Sequence, residues 1–253
     1  MSQCRLGVQL YSVRESCKKD LPAAFKKIKE IGYSGVELYG GFLWSAEEVQ
    51  KAAGDAGLTV IGSHVPFSAI DASQIYATIA YAKAVGMRYI TVAMLHGEMC
   101  SDAAAWRDSA EKFNAAARIL GRHGITLGYH NHAQEFRKEE GDATGWDIMM
   151  SGTDASVMGQ IDNGNALEGG ADALQYLQKY PGRAFTWHLK PYSLKTGFAT
   201  MIGEDSIDWK AAFEEILAQG VTQWHIVEYD CPEKYPEMEN IRRCYEAVRG
   251  MGY

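Results

Sequence analysis

The chain has 253 residues, 47% hydrophobic and 23% charged, an ordinary globular composition with length enough for a sizeable core. Its net charge of −7 at neutral pH leaves no broad basic surface of the kind a phosphate backbone requires, which speaks against nucleic acid as a partner. The five cysteines (Cys4, Cys17, Cys100, Cys231 and Cys244) are odd in number and form no CxxC pair, which argues against a disulfide framework or a cysteine-rich zinc site; no apolar run reaches membrane-spanning length. The expectation is a cytoplasmic protein with reduced thiols, whose N-terminus enters a strand-like segment without a basic leader region.

Short apolar runs alternate with helical stretches along the whole chain. The first predicted strand, Arg5–Ser12, is followed by a helix over Asp20–Ile31 with Leu21, Phe25, Ile28 and Ile31 at spacings of three and four. A second strand, Gly35–Tyr39, precedes a helix over Ser45–Gly57, where Ser45 and Glu48 have the spacing of a capping box. Strands Thr59–His64 and Tyr89–Leu95 come next, then an Ala-rich helix over Ser101–Gly124 that ends in glycine. Strands Thr126–His132, Val157–Asp162 and Phe185–Lys190 follow. Pro191–Ser206 is the longest irregular stretch and a candidate lid or binding loop. A helix over Asp208–Gly220, carrying Trp209, Phe213, Ile216 and Leu217, leads to the last strand, Trp224–Tyr229.

Eight strands in strict alternation with helices predict parallel β-α units and an α/β fold. The rival, a doubly wound open sheet, would carry GxGxxG after its first strand and place its polar residues beside one switch point. Neither feature is present: polar residues gather at the ends of nearly every strand, as in a closed (β/α)8 TIM barrel whose strand ends all face one mouth. With no linker or composition shift, residues 1–253 read as a single domain.

The strand ends carry the chemistry. The first supplies Gln9, Tyr11 and Arg14; the second, Glu37; the third, His64; the fifth, His130, Asn131, His132 and Glu135 in GYHNHAQEF. The sixth supplies Asp162 and Asn165 in IDNGN, the seventh His188 and Lys190 in WHLKPY, and the eighth Glu228 and Asp230 in VEYD. Each has a bland reading when taken singly. A strand histidine is commonly a satisfied core residue, and His225, an odd number of positions from Glu228, reads as that case, as does Trp187 beside His188. Asp162 opens a strong turn sequence, Glu228 has an arginine as a conceivable partner, and His188 with Lys190 would make an ordinary pair at the core rim. Together, however, Asp, His, His and Glu at four consecutive strand ends converge on one mouth. Such an N/O set suits a divalent Mn, Zn, Fe, Co or Mg.

The segments GVQLYSVR, GYSGVELYGG, YHNHAQEF, IDNGN, HLKPY, SIDWKAAFEEIL and HIVEYD span nearly the whole chain, and in this order they resemble the sugar isomerase and epimerase branch of the xylose isomerase-like TIM barrels. The resemblance implies one divalent metal held by a Glu from the fifth strand, an Asp from the sixth, a His from the seventh and a Glu from the eighth. Asp162, His188 and Glu228 match the last three. The fifth strand departs from the pattern: His130 stands where the relatives place Glu. The alternatives are His130 itself or Glu135 reaching back, and His130 is favoured because it lies at the strand end.

The departure leaves Glu228 as the one carboxylate in the place of a metal-bound acid/base, with His132, on the same strand face as His130, as the natural second. The resemblance therefore implies an isomerase or epimerase that moves a proton on a keto-sugar or polyol through an enediolate. Glu228 and His132 would be acid/base groups, Lys190 and His64 would donate to developing oxyanions or hydroxyls, and Glu37, Glu135, Tyr11 and Gln9 would contact substrate. A dehydratase branch acting on keto-polyols also uses histidine near this position, so a lyase, including one cleaving oxidised glycosides, is the alternative; a non-catalytic sugar-binding barrel is another. An abasic-site nuclease of the same superfamily is disfavoured by Asn165 where those enzymes carry His and by the acidic balance. No glycine-rich phosphate loop or arginine cluster indicates a phosphorylated substrate, although Arg14, Lys190 and Lys195 offer one anion site. Phe42, Leu43 and Trp44 near the mouth read as a lid or a homo-oligomer interface.

Overall fold

The structure, a computed structural model, describes residues 4–231 and 234–253. Its strands are β1 (Leu6–Gln9), β2 (Gly35–Leu38), β3 (Thr59–Val65), β4 (Tyr89–Val92), β5 (Thr126–His130), β6 (Lys138–Glu140), β7 (Ala143–Thr144), β8 (Met158–Gln160), β9 (Thr186–Leu189) and β10 (Trp224–Val227). Its helices are α1 (Arg14–Lys19), α2 (Leu21–Ile31), α3 (Ala46–Ala56), α4 (Ile75–Val85), α5 (Ala103–Gly121), α6 (Gly145–Gly152), α7 (Asn163–Glu168), α8 (Ala173–Lys179), α9 (Trp209–Gln219) and α10 (Glu237–Gly250). Among the described residues, eight strands form one parallel sheet in the order β8-β5-β4-β3-β2-β1-β10-β9. The sheet curls until its two edges meet. There β8 and β9 are joined by a bridge between Asp162 and His188, by His188 N–H donating to the Ile161 carbonyl at 2.9 Å and by Gly159 N–H donating to the Arg183 carbonyl at 3.0 Å. This is a single-domain TIM barrel, nearly closed, with helices between its strands.

Helix α3 begins where the sequence places its cap. Ser45 and Glu48 form the capping box of α3, and Asp20, Asp102 and Asp208 each accept a backbone N–H from the first turn of α2, α5 and α9. Gly57 and Gly220 stop α3 and α9 in the left-handed conformation that glycine adopts without steric cost. Helix α5 ends at Gly121, three residues short of the expected Gly124, because the chain turns through 121–124 to enter β5. One feature has no counterpart in the periodic pattern: a small antiparallel β6-β7 hairpin between β5 and α6, joined at Gly141 and too short and polar to register as apolar alternation.

Strand alternation sorts the barrel interior into layers. Outward-facing Val8, Val36, Ile90, Leu127, Trp187 and Val227 join the helices in the main core. Inside, Ile61, Tyr89, Met158, Trp224 and Ile226 form a separate apolar plug. Glycine makes the room: a Cβ on Gly7 would stand 2.3 Å from Ile61 Cδ1, and one on Gly128 would stand 2.6 Å from Met158 Cε. Two residues further along the same strand faces, the layer turns polar. Gly7 is followed by Gln9, Gly35 by Glu37, Met158 by Gln160, Thr186 by His188 and Ile226 by Glu228. The apolar plug is thus the floor on which the polar cluster stands.

The Pro191–Ser206 segment carries no helix or barrel strand. It is tied down by Ser206 N–H donating to the Tyr192 carbonyl at 2.9 Å, by a bridge between Ser193 and Gly197, and by burial of its own Met201 and Ile202. All five cysteines are free thiols, and among the described residues no helix is long and apolar enough to cross a membrane.

Candidate functional site

The strand ends bring His130, Asp162, His188 and Glu228 together, all buried, with one potential ligand atom from each within 4.8 Å of the others. Each has a distinct local reason for its position. His130 closes β5. Asp162 follows β8 and N-caps α7, its Oδ1 accepting the Asn165 N–H at 2.7 Å. His188 sits in β9, and Glu228 follows β10. His188 Nδ1 lies 2.6 Å from Glu228 Oε2 and 3.7 Å from Asp162 Oδ2, while its Nε2 lies 2.6 Å from Glu37 Oε2.

The charges are strongly interdependent. Burial alone would push the His188 pKa down, but Glu37 and Glu228 outweigh it and hold it up at about 10. Burial likewise works against ionised Glu228, yet Lys190 and His188 keep it well below the usual carboxylate range. Asp162 has less compensation: burial, with Glu228 adding repulsion, raises it to about 7 despite Lys190. Burial, reinforced by neighbouring His188 and His64, drives His130 well below its ordinary value, so its ring is neutral.

A divalent ion fits this cluster. Asp162 Oδ2 is buried with no hydrogen-bond partner, a costly state for a carboxylate that a cation would relieve. A neutral imidazole, two carboxylates and the His188 ring, whose Nδ1 faces both carboxylates and would give up its proton to a bound ion, suit Mn, Zn, Fe, Co or Mg. His188 Nε2 on Glu37 reproduces the carboxylate–histidine arrangement that orients metal-ligating rings. His64 also lies close: its ligand atom and those of His130 and His188 form an overlapping cluster.

Above the cluster a cavity of about 400 Å³ is lined by Gln9, Tyr11, Tyr39, His64, His130, His132, Glu228 and Asp230, among others. His132 has a buried, unpartnered Nδ1 and a pKa lowered to about 4, by burial first and by Lys190 next. Lys190 is fully enclosed, with Nζ 2.5 Å from Asp230 Oδ2, 3.7 Å from Glu228 Oε1 and 5.0 Å from the Phe198 ring centre. Although burial opposes it, Glu228 and Asp230 hold the ammonium protonated beyond its ordinary range. A second cavity of about 760 Å³ shares Gly40, His64, Ala93, Met94 and His96 with the first and extends over the ends of β3 and β4.

Two residues expected to touch substrate lie elsewhere. Glu37 is completely buried beneath the cluster, its oxygens accepting from Gln9 at 2.9 Å, Gln160 at 2.8 Å and His188. Glu135 is also completely buried: Oε1 accepts from the Tyr129 hydroxyl at 2.6 Å, and Oε2 accepts the His132 N–H at 2.7 Å. Its place in the loop after β5 keeps it out of the four-residue cluster, where the fifth-strand member is His130. Gln9 faces both ways, donating to Glu37 and accepting the Tyr11 N–H while lining the cavity. Tyr11 stands at the mouth, 41% exposed, under the Arg14 guanidinium. Phe42 stacks on Tyr81, and the Trp44 carbonyl accepts the Tyr81 hydroxyl, so of the three mouth hydrophobics only Leu43 stands well exposed. His225 and Trp187 are core residues bonded to each other at 2.6 Å.

Gln160 escaped the reading of strand ends. It is buried at the centre of the polar layer, within hydrogen-bond distance of His64, His130, Glu37 and Thr186. The available signal was its position two residues before Asp162, a polar side chain on the inward face of a short apolar strand.

Known proteins bear the same architecture. A sugar phosphate isomerase/epimerase from Parabacteroides distasonis superposes with a TM-score of 0.83 at 24% identity, covering 98% of each chain. An L-ribulose 3-epimerase superposes with a TM-score of 0.71 at 16% identity, covering 99% of this chain and 94% of that one. At these identities the likeness is one of fold. In sequence, an inosose dehydratase from Bacillus licheniformis is 26% identical over 153 residues, 53% of this chain and 49% of that protein, so the match spans about half the length of that curated relative. The family model described as xylose isomerase-like TIM barrel matches residues 25–249, and the chain belongs to that family.

Proposed function

We propose that this protein is a metal-dependent isomerase or epimerase that moves a proton on a keto-sugar or polyol. The observation that carries the reading is the buried His130–Asp162–His188–Glu228 cluster, with an unpartnered Asp162 oxygen, at the base of a cavity that also presents His132 and Glu228 as proton carriers. Those four side chains would hold a divalent ion, which would supply Lewis-acid stabilisation of negative charge on substrate oxygens. Glu228, kept ionised by Lys190 and His188, takes the carbon-bound proton. His132, neutral and with a free Nδ1, relays a proton at the far side of the same carbon or at its neighbour. Lys190, protonated and anchored by Asp230, donates to the oxyanion as it develops, and His64 and Gln9 orient hydroxyls.

A second reading is supported by a specific feature. By the resemblance to the sugar epimerases, His130 stands where they place a carboxylate, which leaves one fewer ionised base, and the curated relatives at 26% identity are inosose dehydratases. In that case the same proton is lost, the C–O bond on the adjacent carbon breaks and water leaves. Incubation with keto-sugars and keto-inositols in deuterated water with added Mn, Co or Zn tests both. Deuterium incorporated with the carbon skeleton hydrated supports isomerase or epimerase chemistry, and an unsaturated or cleaved product supports the lyase. Absence of exchange and of product across the panel, with metal bound, counts against both and points to a binding barrel.

A further inference from the structure

The ring of His130 is bracketed by two amides whose orientations are set independently. Gln160 Nε2 lies 2.8 Å from a Glu37 carboxylate oxygen and 2.8 Å from Thr186 Oγ1. A carboxylate accepts only, so the NH2 must face Glu37 and Gln160 Oε1 must point the other way. That oxygen lies 3.1 Å from His130 Nδ1 and 2.6 Å from His64 Nε2, so both nitrogens must carry hydrogen. On the opposite side of His130, Asn165 Nδ2 donates to the Asn131 carbonyl at 3.0 Å and lies 3.4 Å from His130 Nε2. An NH2 group there requires a nitrogen without hydrogen. Both ends give the same assignment.

From this geometry we propose that Gln160 is a positioning residue that locks His130 in the Nδ1–H tautomer, leaving Nε2 bare, and His64 in the Nε2–H tautomer, leaving Nδ1 bare. The inference rests on the reading of His130 as a metal ligand. A histidine ligates through a nitrogen without hydrogen, so Gln160 selects which nitrogen is available before any ion arrives. For His64, one neutral ring hydrogen spent on Gln160 makes the remaining nitrogen an acceptor for a substrate hydroxyl instead of a donor. The same Glu37 that orients Gln160 also holds His188 Nε2, and its Oε2 lies 3.3 Å from His64 Nε2, so one buried carboxylate bears on three imidazoles: His188 and His64 directly, and His130 through the amide.

The test is 15N–1H NMR of histidine-labelled, metal-free protein, with ring signals assigned by single substitution. The wild type is expected to show His130 as Nδ1–H and His64 as Nε2–H. In Gln160→Leu, whose fold is verified by its thermal melt, His130 should become a tautomeric mixture, and affinity for cobalt(II), read by visible absorbance, should fall about 10–100-fold. The paired exchange Glu37→Gln/Gln160→Glu, which again places an oxygen toward the histidines and an NH2 between the two positions, should restore the Nδ1–H tautomer. His130 found as Nε2–H in the wild type overturns the proposal even if no variant folds, as does an unchanged tautomer in folded Gln160→Leu. The predicted tautomers with no cobalt binding would instead defeat the metal reading and leave the positioning of the rings standing.

Discussion

Asp162 and His188 face each other across the bridge that closes the barrel between β8 and β9. His188 Nδ1 is 3.7 Å from Asp162 Oδ2, and Asn163 Nδ2 donates to the His188 carbonyl at 3.0 Å. The seam of the sheet and the centre of the candidate metal site are therefore the same place, so closing the barrel and assembling the ligands are one structural event.

Asp162→Asn separates these roles, because asparagine is as good an N-cap as aspartate while it removes the anionic ligand. Metal content by elemental analysis after reconstitution should fall at least about tenfold, with helix α7 and the fold retained. His188→Ala should lose metal as well. For the wild type, saturating the site at 100 times the dissociation constant should add about 2.7 kcal/mol of stability, seen as a raised Tm that a chelator reverses.

His132→Gln should leave metal content unchanged and slow substrate deuterium exchange by about 10²–10⁴-fold, the usual contribution of one general acid/base. Equal exchange in this variant would remove His132 from the proton path.

Lys190 is a cation shared by buried Glu228 and by half-buried Asp230. Lys190→Met removes the partner of Asp230 and leaves Glu228 to His188 alone, and should cost about 1–3 kcal/mol in urea unfolding, whereas Lys190→Met/Asp230→Asn should recover part of that loss.

Gly164 sits where α7 meets β9: an added Cβ would stand 2.6 Å from the Lys190 carbonyl oxygen and 3.1 Å from Lys190 Cγ. A backbone oxygen cannot swing aside, so Gly164→Ala should destabilise by about 1–3 kcal/mol and lower activity by displacing Lys190.

His225 offers a pH test away from the cluster. Its pKa is lowered from 6.5 to about 4, by burial first and by Arg249 next. The folded state therefore binds fewer protons than the unfolded one between those values. The stability present above pH 6.5 is lost as pH falls towards 4, by up to about 3 kcal/mol from this group. His225→Gln keeps an acceptor for Trp187 and should flatten the stability profile over that window in urea unfolding.

Strand and helix order, the helix cap at Ser45, and the placing of polar groups at strand ends were legible in the sequence because each is a local property: hydrophobic period, cap chemistry, alternation. The alternation also marked His225 and Trp187 as core. What tertiary structure alone decided is which polar residues meet and which way they face. Glu37 and Glu135 look alike in sequence to Glu228, yet one became the buried anchor of His188 and Gln160 and the other the partner of Tyr129. Gln160 looked like an incidental polar residue on a short strand until barrel closure gave it partners from four other strands. The reason is physical. Secondary structure is dictated by neighbours a few residues apart, whereas the use of a buried polar atom depends on partners brought from distant strands by the curvature and stagger of the closed sheet.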